Sequence, residues 1–348
     1  MSRILVAGAQ GFLGSYICEE ALRQGHHVIA LSGQSSAQAQ NPSIPQMTHL
    51  CLRLENFGEL EQRQVFDVCE NVDVVINASG PGDPSLPGPL LSKLHVYRTT
   101  QLLALALRLP ALQKFVQVSS VAIAGDHVGL FSEAMRDVGQ RFKSGIGRAY
   151  LAAEHCVAGT DAPFARTIAR LGVLVGDSKT GYYPRLSGVY KVLSAATRLG
   201  RYRFPLEWLG MIVLPFSEQG RCHLVPVDLA AQAILRIATQ ASQDRGLSTY
   251  HVLGGTRGIS IRRLLDVCLQ DAGLDLELLS TGDSALSRNL FTRLGFHPSL
   301  VEALSTRAFW THDSFSALMP DFSIPALADL GPVLLRYAHA HLLGGERP

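Results

Sequence analysis

Gly8, Gly11 and Gly14 stand three residues apart in the run Gly8-Ala9-Gln10-Gly11-Phe12-Leu13-Gly14. Glycines at this spacing let the chain turn tightly and bring backbone N–H groups up to a pyrophosphate at a helix N-terminus. The chemistry on offer is dinucleotide binding. A glycine turn can also exist with no ligand, so its context decides. Ile4-Leu5-Val6-Ala7 precedes it as a buried strand, and Ser15 to Leu22 follows as a helix. Leu13, Ile17 and Ala21 fall on one face of that helix, and Gly25 stops it. Strand, turn and helix in this order is the setting the motif requires.

The elements around the turn continue the pattern. His27-Val28-Ile29-Ala30-Leu31 reads as strand two, Val72 to Asn77 as strand four, and Phe115-Val116-Gln117-Val118-Ser119 as strand five. A helical pattern from Leu90 to Leu109 stops at Pro110. Short buried strands alternating with helices imply a parallel sheet covered on both faces, with ligands at the carboxyl ends of its strands. Two polar or Pro/Gly-rich loops, Gly33 to Gln46 and Gly80 to Pro89, follow strands two and four at such ends. After Thr180 the alternation becomes irregular. It returns at Cys222 to Asp228 and at Thr249 to Leu253, and Pro332 to Leu343 reads as a closing helix. The expected fold class is α/β, a Rossmann-like doubly wound parallel sheet with a smaller, interleaved C-terminal substrate-binding region. Residues 1–180 and 221–255 form the dinucleotide-binding part, and 181–220 and 256–348 the substrate part.

Composition narrows the function classes. The chain of 348 residues is 47% hydrophobic and 17% charged, with a net charge of +2 and no basic tract. A nucleic-acid partner is therefore not expected. Its six cysteines are scattered without paired spacing, which points to a reducing, cytoplasmic setting and to no metal site. No signal peptide and no bilayer-crossing stretch is read; Leu206 to Phe216 is the most apolar short segment and could touch a membrane surface or a partner protein.

Taken together, Gly8 to Gly14, Asn77-Ala78-Ser79-Gly80 and Val118-Ser119-Ser120-Val121-Ala122-Ile123-Ala124-Gly125 resemble the extended short-chain dehydrogenase/reductases. Gly172-Val173-Leu174-Val175-Gly176-Asp177-Ser178-Lys179-Thr180-Gly181 and Leu224-Val225-Pro226-Val227-Asp228 look most like the fatty-acyl and acyl-thioester reductase branch. That resemblance implies a carbonyl-polarising Ser, a proton-exchanging Tyr, and a Lys four residues on that lowers the tyrosine pKa. Ser120 takes the serine position. In Ser144-Gly145-Ile146-Gly147-Arg148-Ala149-Tyr150-Leu151-Ala152-Ala153-Glu154 the ending Ala153-Glu154 sets the register. Ile146 then stands at the tyrosine position and Tyr150 at the lysine position. The helix asparagine that anchors the relay water in the family is His95 here.

Isoleucine has no proton to give, so the usual relay is not expected at position 146. Tyr150, four residues on, shares a helix face with Ile146 and should enter the same pocket. It either contacts the nicotinamide ribose or a substrate oxygen, or packs as an aromatic with no chemical role. Ser120, Tyr150 and His95 are the catalytic candidates; His95 can also be a plain helix histidine, and Ser120 a backbone cap. Expected cofactor contacts are Gly8, Gln10, Gly11, Phe12, Leu13, Gly14, Ser32, Ala78, Ser79, Tyr150, Leu171 and Val173. After strand two, Ser32-Gly33-Gln34-Ser35 offers neither the acid of an NAD binder nor a base, which leans towards NADP over NAD; Arg53 could supply a charge.

Tyr182, Tyr183 and Trp208 are the substrate-binding candidates, in a stretch that also holds Tyr190, Phe204, Leu209 and Met211. Lys143 also falls near the pocket in the expected fold. Such a wall suits a hydrophobic acyl, thioester or polyketide-derived substrate, possibly carrier-bound; it also suits an ordinary second core. Two readings follow: an atypical biosynthetic enzyme, either an unusual reductase or a cyclase, dehydratase or isomerase, and a non-catalytic dinucleotide-binding scaffold. An oligomer is possible.

Overall fold

The computed structural model describes residues 1–33, 46–51, 65–80, 87–142, 144–200, 202–214, 216, 218–241, 245–254, 258–280 and 306–343. Arg53, Lys143, Gln34, Ser35 and most of the two polar loops expected beside the cofactor lie outside them.

The central sheet is built from β1 (Arg3–Ala7), β2 (His27–Ser32), β3 (Met47–Cys51), β4 (Val74–Asn77), β5 (Lys114–Ser120), β6 (Ala165–Leu171) and β7 (Leu247–Val252). Its spatial order is β7-β6-β5-β4-β1-β2-β3, with every pair parallel. The direction of winding reverses between β1 and β4, which makes the crevice above those two strands the switch point where such sheets take ligands.

The pleat explains the doubly covered sheet. Ile4 and Val6 point to one face, packed with Leu13, Ile17 and Ala21 of α1 (Phe12–Arg23) and with Ala230, Ile234 and Ile237 of α6 (Val227–Thr239). Leu5 and Ala7 point to the other, packed with Leu102, Leu105 and Ala106 of α2 (Gly88–Ala106) and Val157 of α3 (Gly145–Gly159). A third core gathers Val175, Tyr183, Tyr190 and Phe216 with the helices Ile261–Asp271 and Leu327–Tyr337. To this core α4 (Val189–Gly200) gives Tyr190, Val192 and Leu193, and α5 (Arg203–Leu209) lays Leu206 against it.

Three boundaries differ from the sequence reading. Helix α2 begins after Pro87 and ends at Ala106, short of Leu109. Arg108 and Leu109 donate to carbonyls three residues back, so the last turn tightens before Pro110, which bars α-geometry from its predecessor. The edge strand β3 has no apolar run and is largely exposed, so it left no signal. The closing helix starts at Leu327, carries Pro332 inside, and widens at Ala338–Leu342.

Candidate functional site

The glycine turn sits on the switch point. Gly8 and Ala9 donate to the Leu31 carbonyl at 3.1 and 3.2 Å, and Gly11 donates to the Gly8 carbonyl at 2.8 Å. Gly8 has φ +81°, and a Cβ there would lie 2.8 Å from the Ser79 nitrogen. A Cβ on Gly14 would lie 2.1 Å from the Gly8 carbonyl oxygen. The turn is thus pressed between the end of β4 and its own helix. No side chain caps α1 at Gly11, which leaves the first-turn N–H groups for an anion.

The end of β4 is fixed from below. Buried Asn77 donates to Gln117 Oε1 at 2.9 Å and accepts from the Ser79 backbone N–H at 3.2 Å and from the Ser79 hydroxyl. Ala78 and Ser79 therefore stand beside the glycine turn. Ser32 closes β2 in register with Cys51, and Leu171 closes β6 opposite Ser120. Gln10, Phe12 and Leu13 belong to the turn and the first turn of α1. Val173 opens a short strand, Val173–Val175, that pairs with Leu224–Pro226.

Ser120 is the last residue of β5. Its hydroxyl accepts from the Ala122 N–H at 3.2 Å and so caps the following turn. Helix α3 presses on that turn: a Cβ on Gly147 would lie 2.3 Å from the Ala122 carbonyl. Ile146 and Tyr150 ride on this helix. A methyl on Gly80 would sit 3.5 Å from the Tyr150 hydroxyl, so that hydroxyl reaches the end of β4. Burial alone pushes the Tyr150 phenol up to about 12.

His95 packs edge-on against Tyr150, with ring centroids 5.4 Å apart. It has no exposed surface, and neither ring nitrogen has a partner among the described residues. Thr99 and Ser92 on the same helix also keep buried hydroxyls without partners among the described residues. Burial, helped by Arg98, pushes His95 down to about 4, so at neutral pH it is an uncharged imidazole.

The substrate-side aromatics divide. Tyr183 packs on Phe12 with centroids 4.9 Å apart and on Tyr190 at 4.4 Å, and its hydroxyl bonds Ser187 at 3.0 Å. Tyr182 is exposed and lies 6.3 Å from Phe12 and 5.8 Å from Tyr337, centroid to centroid. These two therefore reach the mouth of the glycine turn. Trp208 does not line an enclosed pocket. It stands 87% exposed on α5, because that short helix buries none of its residues.

Two arrangements left little trace in the sequence. Tyr16 of α1 hydrogen-bonds the Asp177 carboxylate, tying the helix to the segment before Tyr182. Burial opposes charge on Asp177, but the N–H groups of Thr180 and Lys179 and the hydroxyls of Thr180 and Tyr16 hold its carboxyl below the usual range. Beneath the site, Glu154 pairs with Arg170 at 2.8 Å and accepts from the Ser119 hydroxyl at 2.6 Å. Arg170 also meets His251 at 3.1 Å, and Glu133 accepts from the N–H of His251 at 2.9 Å and of Ser314 at 2.8 Å. An arginine inside the apolar strand Ala165–Leu171 was the available signal. Among the described residues no group of side chains could hold a metal ion, and no helix is long and apolar enough to cross a membrane.

Residues 4–252 match the family model described as the NAD dependent epimerase/dehydratase family, and the chain belongs to that family. No curated protein matches the sequence. Among solved structures, the terminal R domain from the myxalamid PKS-NRPS biosynthetic pathway superposes with a TM-score of 0.75 at 18% identity, over 99% of this chain and 92% of that one. MoeE5 in complex with UDP-glucuronic acid and NAD gives 0.67 at 18% identity, over 98% and 100%. The dTDP-glucose 4,6-dehydratase of Bacillus anthracis str. Ames, in complex with NAD, gives 0.65 at 14% identity, over 98% and 96%. At such identities the likeness speaks for the fold.

Proposed function

We propose that the chain binds a nicotinamide dinucleotide at the glycine turn and acts as a biosynthetic enzyme on a hydrophobic acyl- or polyketide-derived substrate without the usual tyrosine–lysine relay. The observation that carries this reading is the Tyr150 hydroxyl at the end of β4, raised by burial with no cation among the described residues drawing it down, in a crevice whose helix N-terminus has no side-chain cap at Gly11. The turn from Gly8 to Gly14, with Gln10, Phe12 and Leu13, would hold the pyrophosphate. Ser32 would hold the adenosine ribose, and Ala78, Ser79, Leu171 and Val173 would flank the rest. The lack of an acid at Ser32 favours NADP over NAD. Such a cofactor supplies hydride transfer when bound.

The residues themselves favour neutral hydrogen-bond chemistry. Tyr150 keeps its proton at pH 7 and donates a hydrogen bond to a substrate oxygen, or to the ribose. His95, packed edge-on against the phenol ring, steadies it as a positioning residue. Ser120 offers a second hydroxyl from the end of β5. This set suits dehydration, cyclisation or isomerisation of a carbonyl compound better than ordinary reduction. Tyr182 and Tyr183 give the substrate an aromatic wall beside Phe12.

The test titrates NAD(H) and NADP(H) while following the melting temperature. Saturation at a hundred times Kd should add about 2.7 kcal/mol. No shift with either nucleotide at millimolar concentration overturns the reading. Acyl thioesters and the derived aldehydes are then offered while nicotinamide absorbance and product mass are recorded together. The expected result is product without net absorbance change, lost in Tyr150→Phe. Binding of nucleotide with no conversion of any substrate class would favour the scaffold reading, which Ile146 also supports. Robust absorbance change that survives both Tyr150→Phe and His95→Ala would place the proton donor elsewhere.

A further inference from the structure

We propose that α5 and the strand that follows it, Met211–Leu214, form a docking face for an anionic lipid surface. Phe204 is 86% and Trp208 87% exposed. Four residues apart on α5, they project from one side of the helix. Gly210, at φ +70°, turns the chain directly from α5 into the strand. There the pleat turns Met211 and Val213 outward while Ile212 packs on the core beneath. The neighbouring strand Glu277–Ser280 sets exposed Leu279 opposite Val213. Single exposed apolar residues are ordinary, but two nearly bare aromatics beside an outward apolar strand mark a contact surface.

Charge selects the occupant. Between Asp177 and Glu207 the sequence holds six Lys and Arg residues and no carboxylate, and from Trp208 to Phe216 it holds no charge. A basic stretch thus runs straight into an uncharged apolar one. Lys191 and Arg198, two helical turns apart, share the outer side of α4. Glu207 is neutralised by Arg203, 2.6 Å away, which leaves exposed Glu277, paired in register with Met211, and exposed Asp275 just before it as the carboxylates of this edge.

A second copy of the chain would meet this face with the same face, setting Lys191 and Arg198 near their own counterparts. A lipid surface answers both features. Trp and Phe settle at the boundary between headgroups and acyl chains, while Lys and Arg reach the phosphates. The chain would lie on such a membrane by one edge of its smaller region.

The experiment mixes the full chain with phosphatidylcholine vesicles, with and without phosphatidylglycerol. The chain has two tryptophans, and Trp310 is only 4% exposed, so a fluorescence shift reports Trp208. The expected outcome is a blue shift and co-sedimentation with the anionic vesicles only, weakened by salt. Phe204→Ser should cut binding at least ten-fold by either readout, Trp208→Ser by co-sedimentation, and Lys191→Glu with Arg198→Glu should do the same. The dinucleotide-induced melting shift should persist in all of them. Equal binding to neutral vesicles, or no blue shift with anionic ones, overturns the proposal. So does a blue shift that tracks protein concentration without lipid, which would make this face a contact between copies.

Discussion

At the scale of single residues, the glycines give the sharpest expectations. Gly14→Ala brings a methyl within 2.1 Å of the Gly8 carbonyl oxygen, with only backbone around it. Overpacking of that kind costs about 1–3 kcal/mol, and it also shifts the turn; chemical denaturation and nucleotide titration should both register it. Gly11→Val has milder local crowding, with the Gly8 oxygen 3.1 Å from the new Cβ. It should fold, yet show no melting shift with either dinucleotide; a retained shift would move the pyrophosphate elsewhere. Gly80→Ala meets only the far end of Tyr150 at 3.5 Å and should leave stability within about 1 kcal/mol of the parent. Tyr183→Ala removes the ring that packs on Phe12 and should weaken both nucleotide and hydrophobic ligand, whereas Trp208→Ala should leave both unchanged in the absence of lipid. The sequence could name Trp208 as aromatic and near the site. It could not say which way α5 faces, because that follows from the third core beneath it and not from local spacing.

At the scale of elements, the ion cluster joining α3, β6 and β7 sets how the site is held. Arg170 and Glu154 are wholly buried, and Arg170 also lies 5.7 Å from the centre of the Phe131 ring. Arg170→Met would strand Glu154 with, among the described residues, only Ser119 and, at 3.5 Å, Arg136 as partners. Breaking a buried pair from one side costs about 3–5 kcal/mol, so urea unfolding should show a loss of that order. Replacing Ser119 by Ala removes one charge-assisted bond and should cost only about 1.5–3 kcal/mol. Comparable losses from both variants would mean that Arg136 or water takes over the pairing. The sequence disclosed Glu154, since it marks the helix register, but not its partner. Strand pairing brings Arg170 there, and periodicity along one strand carries no information about which helix lies above it. Helices α1 and α2 were legible because each carries an apolar stripe or a stop, and α3 through the family resemblance of its Ala153-Glu154 ending, while β3 was invisible because an exposed edge strand needs no apolar residues.

At the scale of the whole molecule, acid should act through two buried histidines. Burial holds His95 down to about 4, and burial together with Arg170 holds His251 down to about 3, against about 6.5 in an unfolded chain. The unfolded chain therefore takes up protons that the folded one refuses. Stability is full above about pH 6.5 and falls as the pH drops towards 4, by about 3 kcal/mol for His95 alone. Carboxylates held below their usual range, Glu20 and Asp177 among them, add to the loss only in more acid solution. Denaturant midpoints measured at pH 7 and pH 5 should differ, and His95→Phe should narrow the gap; identical midpoints in the parent would contradict the burial of these rings. The doubly wound parallel class of the sheet and the position of its glycine turn were readable in advance, because alternation and a single motif define them. The packing of the irregular second half was not, because its core is assembled from separated segments with no common period.

One feature of the sheet governs how the chain is made. Its outermost strand on one side, Leu247–Val252, comes long after its neighbour Ala165–Leu171. While the ribosome is still synthesising the residues between, the edge of Ala165–Leu171 carries unpaired backbone groups on an apolar strand. Such an edge invites pairing with other nascent chains. A product cut short of Leu247 keeps that edge open permanently and should accumulate as aggregate, whereas a product ending after Val252 can close the sheet. The commitment to a clean fold is thus deferred to the last strand, and chaperones that shield strand edges have their longest opportunity in this interval.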